Sequence, residues 1–324
     1  MQRRTLAKAA ALVAMTALVG HSHAQSNYPE KPIRIVVPFL PGGSPDVVAR
    51  LIGDRMSRAL GQPVVVENKP GANGIIGADT VAKAAPDGYT LLIADTGQMS
   101  INPSLYRKLP YDPQKAFAPI GHVMATPLYF VVRADLPIRN MKELVAYSQT
   151  GNGLPYGSSG NGSALHLGIE MFQRISGAKL QHIPYKGAAQ MPAAMLAGDI
   201  GLFFTGWTIA GPHVKSGRMR AIAVGSAQRA AFQPDIPTVA ESGFPGFEVD
   251  SRNGLLAPYG TPPEIVARLN KVLGEIVQQP DVRERLAGMG IDVIHNTPEQ
   301  YAAAIRSDQE KYAKVISSLG ISLD

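Results

Sequence analysis

Apolar residues along this chain come in short β-branched runs separated by stretches of helical period. Ile33-Arg34-Ile35-Val36-Val37 stops at Pro38, and Val47, Val48, Leu51, Ile52, Met56 and Leu60 then recur at helical spacing until Gly61. The pattern predicts a strand, a turn and a helix. A second strand is expected at Val64-Val65-Val66-Glu67, then an alanine-rich helix to Ala85. The turn Pro86-Asp87-Gly88 feeds a third strand, Thr90-Leu91-Leu92-Ile93-Ala94. Near-continuous apolar strands alternating with helices predict a mainly parallel sheet covered on both faces.

From Tyr129-Phe130-Val131-Val132 the pattern restarts. Asn140 and Glu143 resemble a capping box before a helix ending near Gln149, and Tyr156-Gly157-Ser158 reads as a short strand. A helix from Ala164 to Ser176 follows, then strand Leu180-Gln181-His182-Ile183, a helix around Met191 to Leu196 and strand Ile200-Gly201-Leu202-Phe203-Phe204. One more helix ends at Gly217, before strand Arg220-Ala221-Ile222-Ala223-Val224. Beyond Gly246 the run Leu255-Leu256-Ala257 is followed by helices expected at 263–278, 281–289 and about 298–319, without a full set of strands of their own. The economical arrangement returns the chain to the first unit. It gives two lobes, 25–125 plus 250–324 and 126–249, with two crossovers near residues 125 and 250.

Composition supports this division. The 324 residues are enough for two compact domains, and the low aromatic content, 6%, implies cores of Val, Ile, Leu and Ala. Arg3, Arg4 and Lys8, an apolar stretch from Ala9 to Gly20 and Ser22-His23-Ala24 read as an export signal over residues 1–24 cleaved near Ala24. The arginine pair also approximates a twin-arginine pattern, which leaves two export routes open. Removing that segment lowers the formal charge from +6 to +3. No Lys/Arg cluster interleaved with aromatics favours nucleic acid. The absence of cysteine excludes disulfides, thiolate metal sites and a lipid-bearing cysteine. Beyond the export segment the five histidines, 122, 166, 182, 213 and 295, show no metal-ligand spacing. Neither a metal nor a cofactor is expected.

The candidate chemistry lies in two small-residue turns, Pro41-Gly42-Gly43-Ser44-Pro45-Asp46 and Tyr156-Gly157-Ser158-Ser159-Gly160-Asn161-Gly162-Ser163, each between a strand-like and a helix-like run. A strand that ends in glycines and opens a helix leaves unpaired N–H groups at the positive end of the helix dipole. Two such turns facing each other would make a cleft for a small carboxylate. Each turn also satisfies the needs of an ordinary tight connection. Ser44 is the expected N-cap of the first helix, with Pro45 its first residue.

Along the whole chain, motifs resemble those of the substrate-binding proteins of the tripartite tricarboxylate transporter family, the Bug-type receptors. They include Tyr28-Pro29-x-Lys31-Pro32-Ile33-Arg34, Pro41-Gly42-Gly43, Val65-Val66-Glu67-Asn68-Lys69-Pro70-Gly71-Ala72, Pro86-Asp87-Gly88-Tyr89-Thr90, His182-x-Pro184-Tyr185-Lys186-Gly187 and Pro237-Thr238-Val239-x-Glu241. The resemblance implies an α/β, two-lobed periplasmic binding protein fold, type II-like. It implies a monomeric receptor that closes on a small organic acid and docks transiently on membrane permease subunits or on a sensor kinase ectodomain. Carried over residue by residue, it places Phe39, Gly43, Ser44 and Asp46 in the first turn. Ser158, Ser159, Asn161, Gly162 and Ser163 form the second. The loop Asp95-Thr96-Gly97-Gln98 contributes Thr96 and Gly97, and Tyr185, with Lys186 and Gly187, borders the cleft. Thr205 stands where many members have an aspartate, Pro45 where a threonine is usual and Arg252 where a tryptophan is frequent.

Each assignment has a plainer counterpart. Asp46 can serve the helix dipole, Lys186 can face solvent, His166 can be structural and Arg252 can pair with Asp250 instead of reaching a distal carboxylate. An enzyme is the alternative class, but there is no phosphate loop and no nucleophile elbow. Ser159 beside His166 lacks an evident third partner.

Overall fold

The computed structural model describes residues 28–323; the export segment expected over residues 1–24 lies outside them. The first strand-turn-helix unit is β1 (Ile33–Val37) and α1 (Ser44–Leu60), followed by β2 (Val64–Asn68), α2 (Ile75–Ala82) and β3 (Thr90–Asp95). β1 pairs in parallel with both β2 and β3. The apolar stripe of α1 is buried against this sheet, with Val48, Ile52 and Met56 inaccessible to solvent. Each such side chain contributes roughly 1.5–3 kcal/mol of burial free energy. A wide turn at Gly97–Ile101 continues into the short α3 (Asn102–Leu105).

The chain then enters β4 (Phe117–Arg133), a 17-residue strand. Its first part pairs with β9 (Asp250–Pro258), its last part with β7 (Leu202–Gly206) and β8 (Met219–Val224). β4 therefore belongs to the sheets of both lobes. One is ordered β2-β1-β3-β9-β4 with β10 (Asp292–Val293) added to β4; the other carries β4-β7-β5-β6 with β8 on β4. β5 (Leu154–Ser158) lies parallel to β6 (Leu180–Pro184) and to β7. The second sheet is covered by α4 (Met141–Ser148), α5 (Ala164–Ser176), α6 (Met191–Ala197) and α7 (Trp207–Lys215).

Only four residues of β4 are evident in sequence, because Pro119, Gly121 and Pro127 interrupt the run. The structure takes up part of this irregularity as two register shifts against β9, between Pro119 and Gly121 and between His122 and Met124.

After β9 the helices α8 (Pro263–Val277), α9 (Pro280–Gly288) and α10 (Pro298–Leu319) complete the chain. α8 packs into the core that contains α1. α10 opens with a capping box, Thr297 and Gln300, and runs across the back of both lobes. At one end Tyr301 meets His122; farther along, Lys311 Nζ donates to the carbonyl of Glu248 and Arg174 donates to that of Ser318. A small core joins Ile101 and Leu105 to Ala164, Leu167, Tyr312 and Ile316. No helix among the described residues is long and apolar enough to cross a membrane.

Candidate functional site

The two small-residue turns approach each other at the junction of the lobes. In the first, Gly43 (φ −79°, ψ 166°) is the N-cap, so Ser44 and Pro45 are already helical, one position earlier than the sequence suggests. Asp46 explains the shift. Its Oδ2 accepts the amide of Gly42 at 3.0 Å, holding the turn closed without a hydroxyl cap. Burial pushes this carboxyl up, but hydrogen bonds from Arg50, Gly42 and Asn68 outweigh it and hold the pKa below the usual value. Ser44 Oγ is left to lie 3.0 Å from Thr208 Oγ1 on the other lobe.

In the second turn Ser163 is the N-cap and accepts the amide of His166 at 3.2 Å. Three amides of this turn are used internally. Gly160 donates to Ser158 Oγ at 3.1 Å, Gly162 to His166 Nδ1 at 3.0 Å and Ser163 to the carbonyl of Gly160 at 3.2 Å. The opening amides of α1 and α5 have no acceptor within their helices and remain the natural anion donors.

Between the turns is a cavity of about 760 Å³, within the range of small-molecule sites. Phe39, Gly43 and Ser44 line it from the first turn, Ser159, Asn161, Gly162 and Ser163 from the second, with Gly97 and Thr205. Lys186 and Gly187 border it. Four residues expected there are elsewhere. Asp46 faces into its own turn. Thr96 Oγ1 accepts the amide of Arg252 at 3.3 Å. Ser158 is fully buried, 2.6 Å from His182 Nε2. Tyr185 lies in a separate shallow depression beside Ala189 and Ala193.

Arg252 is also outside the lining; its guanidinium pairs with Asp250 at 3.2 Å and Glu248 at 3.6 Å. Its β9 neighbours Ser251 and Asn253 face the cavity instead. This follows from strand alternation, which sends adjacent side chains to opposite faces.

The loop Pro70–Gly74 also lines the cavity, although it is not among the residues expected there. Gly71, Ala72, Asn73 and Gly74 all have positive φ, from 46° to 126°. For Ala72 and Asn73 this is a strained choice, and the surroundings enforce it. The Asn73 carbonyl accepts from Gln98 Nε2 at 3.0 Å and Asn102 Nδ2 at 3.2 Å, while its own Nδ2 donates to Tyr106 Oη and to the carbonyl of Asn161 across the cleft at 2.6 Å. The Gly-Ala-Asn-Gly run after a strand is the signal that marks this loop. Asn102, Tyr106, Thr126 and Leu323 also line the cavity, brought there by tertiary structure alone.

The serine-histidine pairing is structural. His166 and His182 stack at 3.9 Å between ring centroids, and His182 stacks on Tyr156 at 5.0 Å. Burial lowers both imidazole pKa values to about 4, so the rings are neutral at pH 7. Ser159, which does face the cavity, has neither ring as a hydrogen-bond partner.

The sequence from 48 to 321 matches the model of the tripartite tricarboxylate transporter family receptor. The chain belongs to this family. It is 38% identical to the periplasmic binding protein BugD, whose solved structure superposes with a TM-score of 0.85, covering 91% of this chain and 99% of that one. An adipate-bound protein of R. palustris is 33% identical, with a TM-score of 0.87 and coverage of 91% and 99%. The malate-bound MatC of Rhodopseudomonas palustris is 32% identical, with a TM-score of 0.83 and coverage of 89% and 100%. The family and these neighbours are solute-binding receptors with a two-lobed fold.

Proposed function

We propose that this protein is a periplasmic receptor that captures a small carboxylate between lobes 25–125 plus 250–324 and 126–249, and presents it to a tripartite tricarboxylate-type permease. The observation that carries this reading is the opposition of two helix N-termini, α1 and α5, on the two sides of one cavity. Each lobe supplies amides and hydroxyls to the same carboxylate, Gly43 and Ser44 from one and Ser159, Asn161 and Ser163 from the other. Preorganised amides can replace a counter-ion because they need little reorganisation on binding.

The carboxylates bound by the adipate and malate complexes support the ligand class. Expected export through residues 1–24 supports the compartment. The cleft-spanning contacts Ser44–Thr208 and Asn73–Asn161 are those a ligand would reinforce by favouring the closed form. The buried Ser158–His182 pair is outside the cavity, so the arrangement favours binding over turnover. A sensor kinase ectodomain reading the same closed state is the alternative partner.

The test is a thermal-shift screen of refolded, ligand-stripped protein against mono-, di- and tricarboxylates, with neutral amides as controls. A ligand at 100 times its dissociation constant adds about 2.7 kcal/mol of stability. A shift confined to acids is expected; equal shifts from the neutral amides would contradict the proposal.

A further inference from the structure

The cavity is chemically lopsided. The two turns offer N–H and O–H donors, whereas its floor, where β3 and β9 run side by side, offers oxygen acceptors. Asp95 and Asn253 are directly opposed partners in this antiparallel pair, which places their side chains on one face of the sheet, and both line the cavity. Asn253 is 1% exposed, and neither its Nδ2 nor its Oδ1 has a partner in the protein. On the same floor the fully buried Asn102 leaves Oδ1 unpaired, although its Nδ2 donates to Asn73. Buried amide groups without partners are costly and uncommon, so these atoms point to an occupant: the two oxygens, Asn253 Oδ1 and Asn102 Oδ1, need a donor, and Asn253 Nδ2 needs an acceptor such as the ligand carboxylate.

Asp95 adds charge to this set. Its Oδ1 accepts the amide of Gly97 at 2.7 Å, and no lysine or arginine among the described residues pairs with it. Of the residues lining the cavity only Asp95 and Lys186 are charged, and Lys186 is exposed. Burial pushes the Asp95 carboxyl up to about 6, the behaviour of an acid deprived of a cation.

Resting on the carboxylate-receptor reading above, we infer that Asp95, Asn253 and Asn102 form a subsite for a protonated amine, and that the ligand is an aminated carboxylic acid. Its carboxylate sits at the turns and its ammonium among the carboxyl and amide oxygens of the floor. β1 and β3 are adjacent parallel strands, so the first turn, which follows β1, and Asp95, at the end of β3, leave the sheet at the same edge. That shared edge suits an amine close to the carboxylate, as in α- to γ-amino acids. A plain dicarboxylate would set its second anion against Asp95.

The experiment titrates ligand-stripped wild type with matched pairs: aspartate and succinate, glutamate and glutarate, γ-aminobutyrate and butyrate. In at least one pair the amino member binds at least tenfold more tightly, and in Asp95→Asn that ratio falls to within threefold. Asn253→Ser, which removes the opposing amide, lowers the same ratio and serves if Asp95→Asn does not fold. Tighter binding of every des-amino member, or a preference that survives both substitutions, overturns the amine subsite and leaves the carboxylate reading intact. Failure of every acid to bind overturns both.

Discussion

The hydroxyl oxygens of Ser44 and Thr208 lie 3.0 Å apart, joining the first residue of α1 to the first turn of α7 on the opposite lobe. This contact exists only when the lobes are together. Its removal should therefore act on closure and not on the folding of either lobe. Thr208→Val keeps the shape and deletes this bond, worth about 0.5–1.5 kcal/mol, together with the long 3.4 Å donation of the same hydroxyl to the carbonyl of Met289. Ligand affinity should fall roughly 2- to 13-fold by calorimetry, a range set by RT, with the unfolding midpoint of the ligand-free protein little changed. An unaltered affinity would show that the bond plays no part in closure.

Gly43 and Gly162 line the same cavity but should respond oppositely to substitution. Gly43 has an ordinary φ, and a Cβ there would meet only Pro45 Cδ at 3.7 Å. Gly43→Val should fold normally and block the approach of the ligand to the turn. Gly162 has φ +72°, and a Cβ there would overlap Leu105 and crowd Leu323. Gly162→Ala should lose roughly 1–2 kcal/mol to the left-handed backbone, with a further penalty of about 1–3 kcal/mol for overpacking. Denaturant melts of the two variants provide the comparison; similar midpoints would refute the distinction.

Acid should weaken the fold through its histidines. Burial lowers His166, His182 and His122 from 6.5 to about 4. Between these values the unfolded chain binds more protons than the native one, so stability is lost as pH falls from about 6.5 to 4. Asp95, raised from 3.8 to about 6, works in the opposite direction, because its native form takes up a proton first. Asp292 and Asp308 are raised as well and side with Asp95, while His213 is lowered and sides with the imidazoles. Three large imidazole shifts against one large carboxyl shift should make the melting temperature drop across this window. His166→Asn, which can keep an acceptor for the Gly162 amide, should flatten the slope; an unchanged slope would mean that His166 does not titrate as described.

Much of the architecture is legible in the sequence because its signals are local. The β-branched run before Pro38, the helical spacing from Val47 to Leu60 and the Asn140–Glu143 cap each specify an element within a few residues. β4 is not legible in this way, since its prolines and glycine contradict strand propensity and only pairing with β9, β7 and β8 makes the segment a strand. The same division holds at the site. The turns announce themselves by composition, and Phe39, Gly43, Ser44 and Ser159 face the cavity. Ser158 and Tyr185 do not, because exposure at a turn depends on packing that the turn sequence does not contain. Asn253 and Asn102 come to the floor from segments far apart in the chain, and neither carries a local mark. Arg252 attracts notice as a charge, yet strand alternation turns it away and brings Asn253 in.

The central claim is that opposed backbone turns recognise a carboxylate. Its most direct test is a calorimetric titration of the acid giving the largest thermal shift, alongside its primary amide, into wild type and Gly43→Val. The account predicts one acid per wild-type chain, amide binding at least 100-fold weaker, and loss of acid binding in Gly43→Val despite a normal unfolding midpoint. Equal affinity for acid and amide, or full acid affinity in a folded Gly43→Val protein, would contradict it.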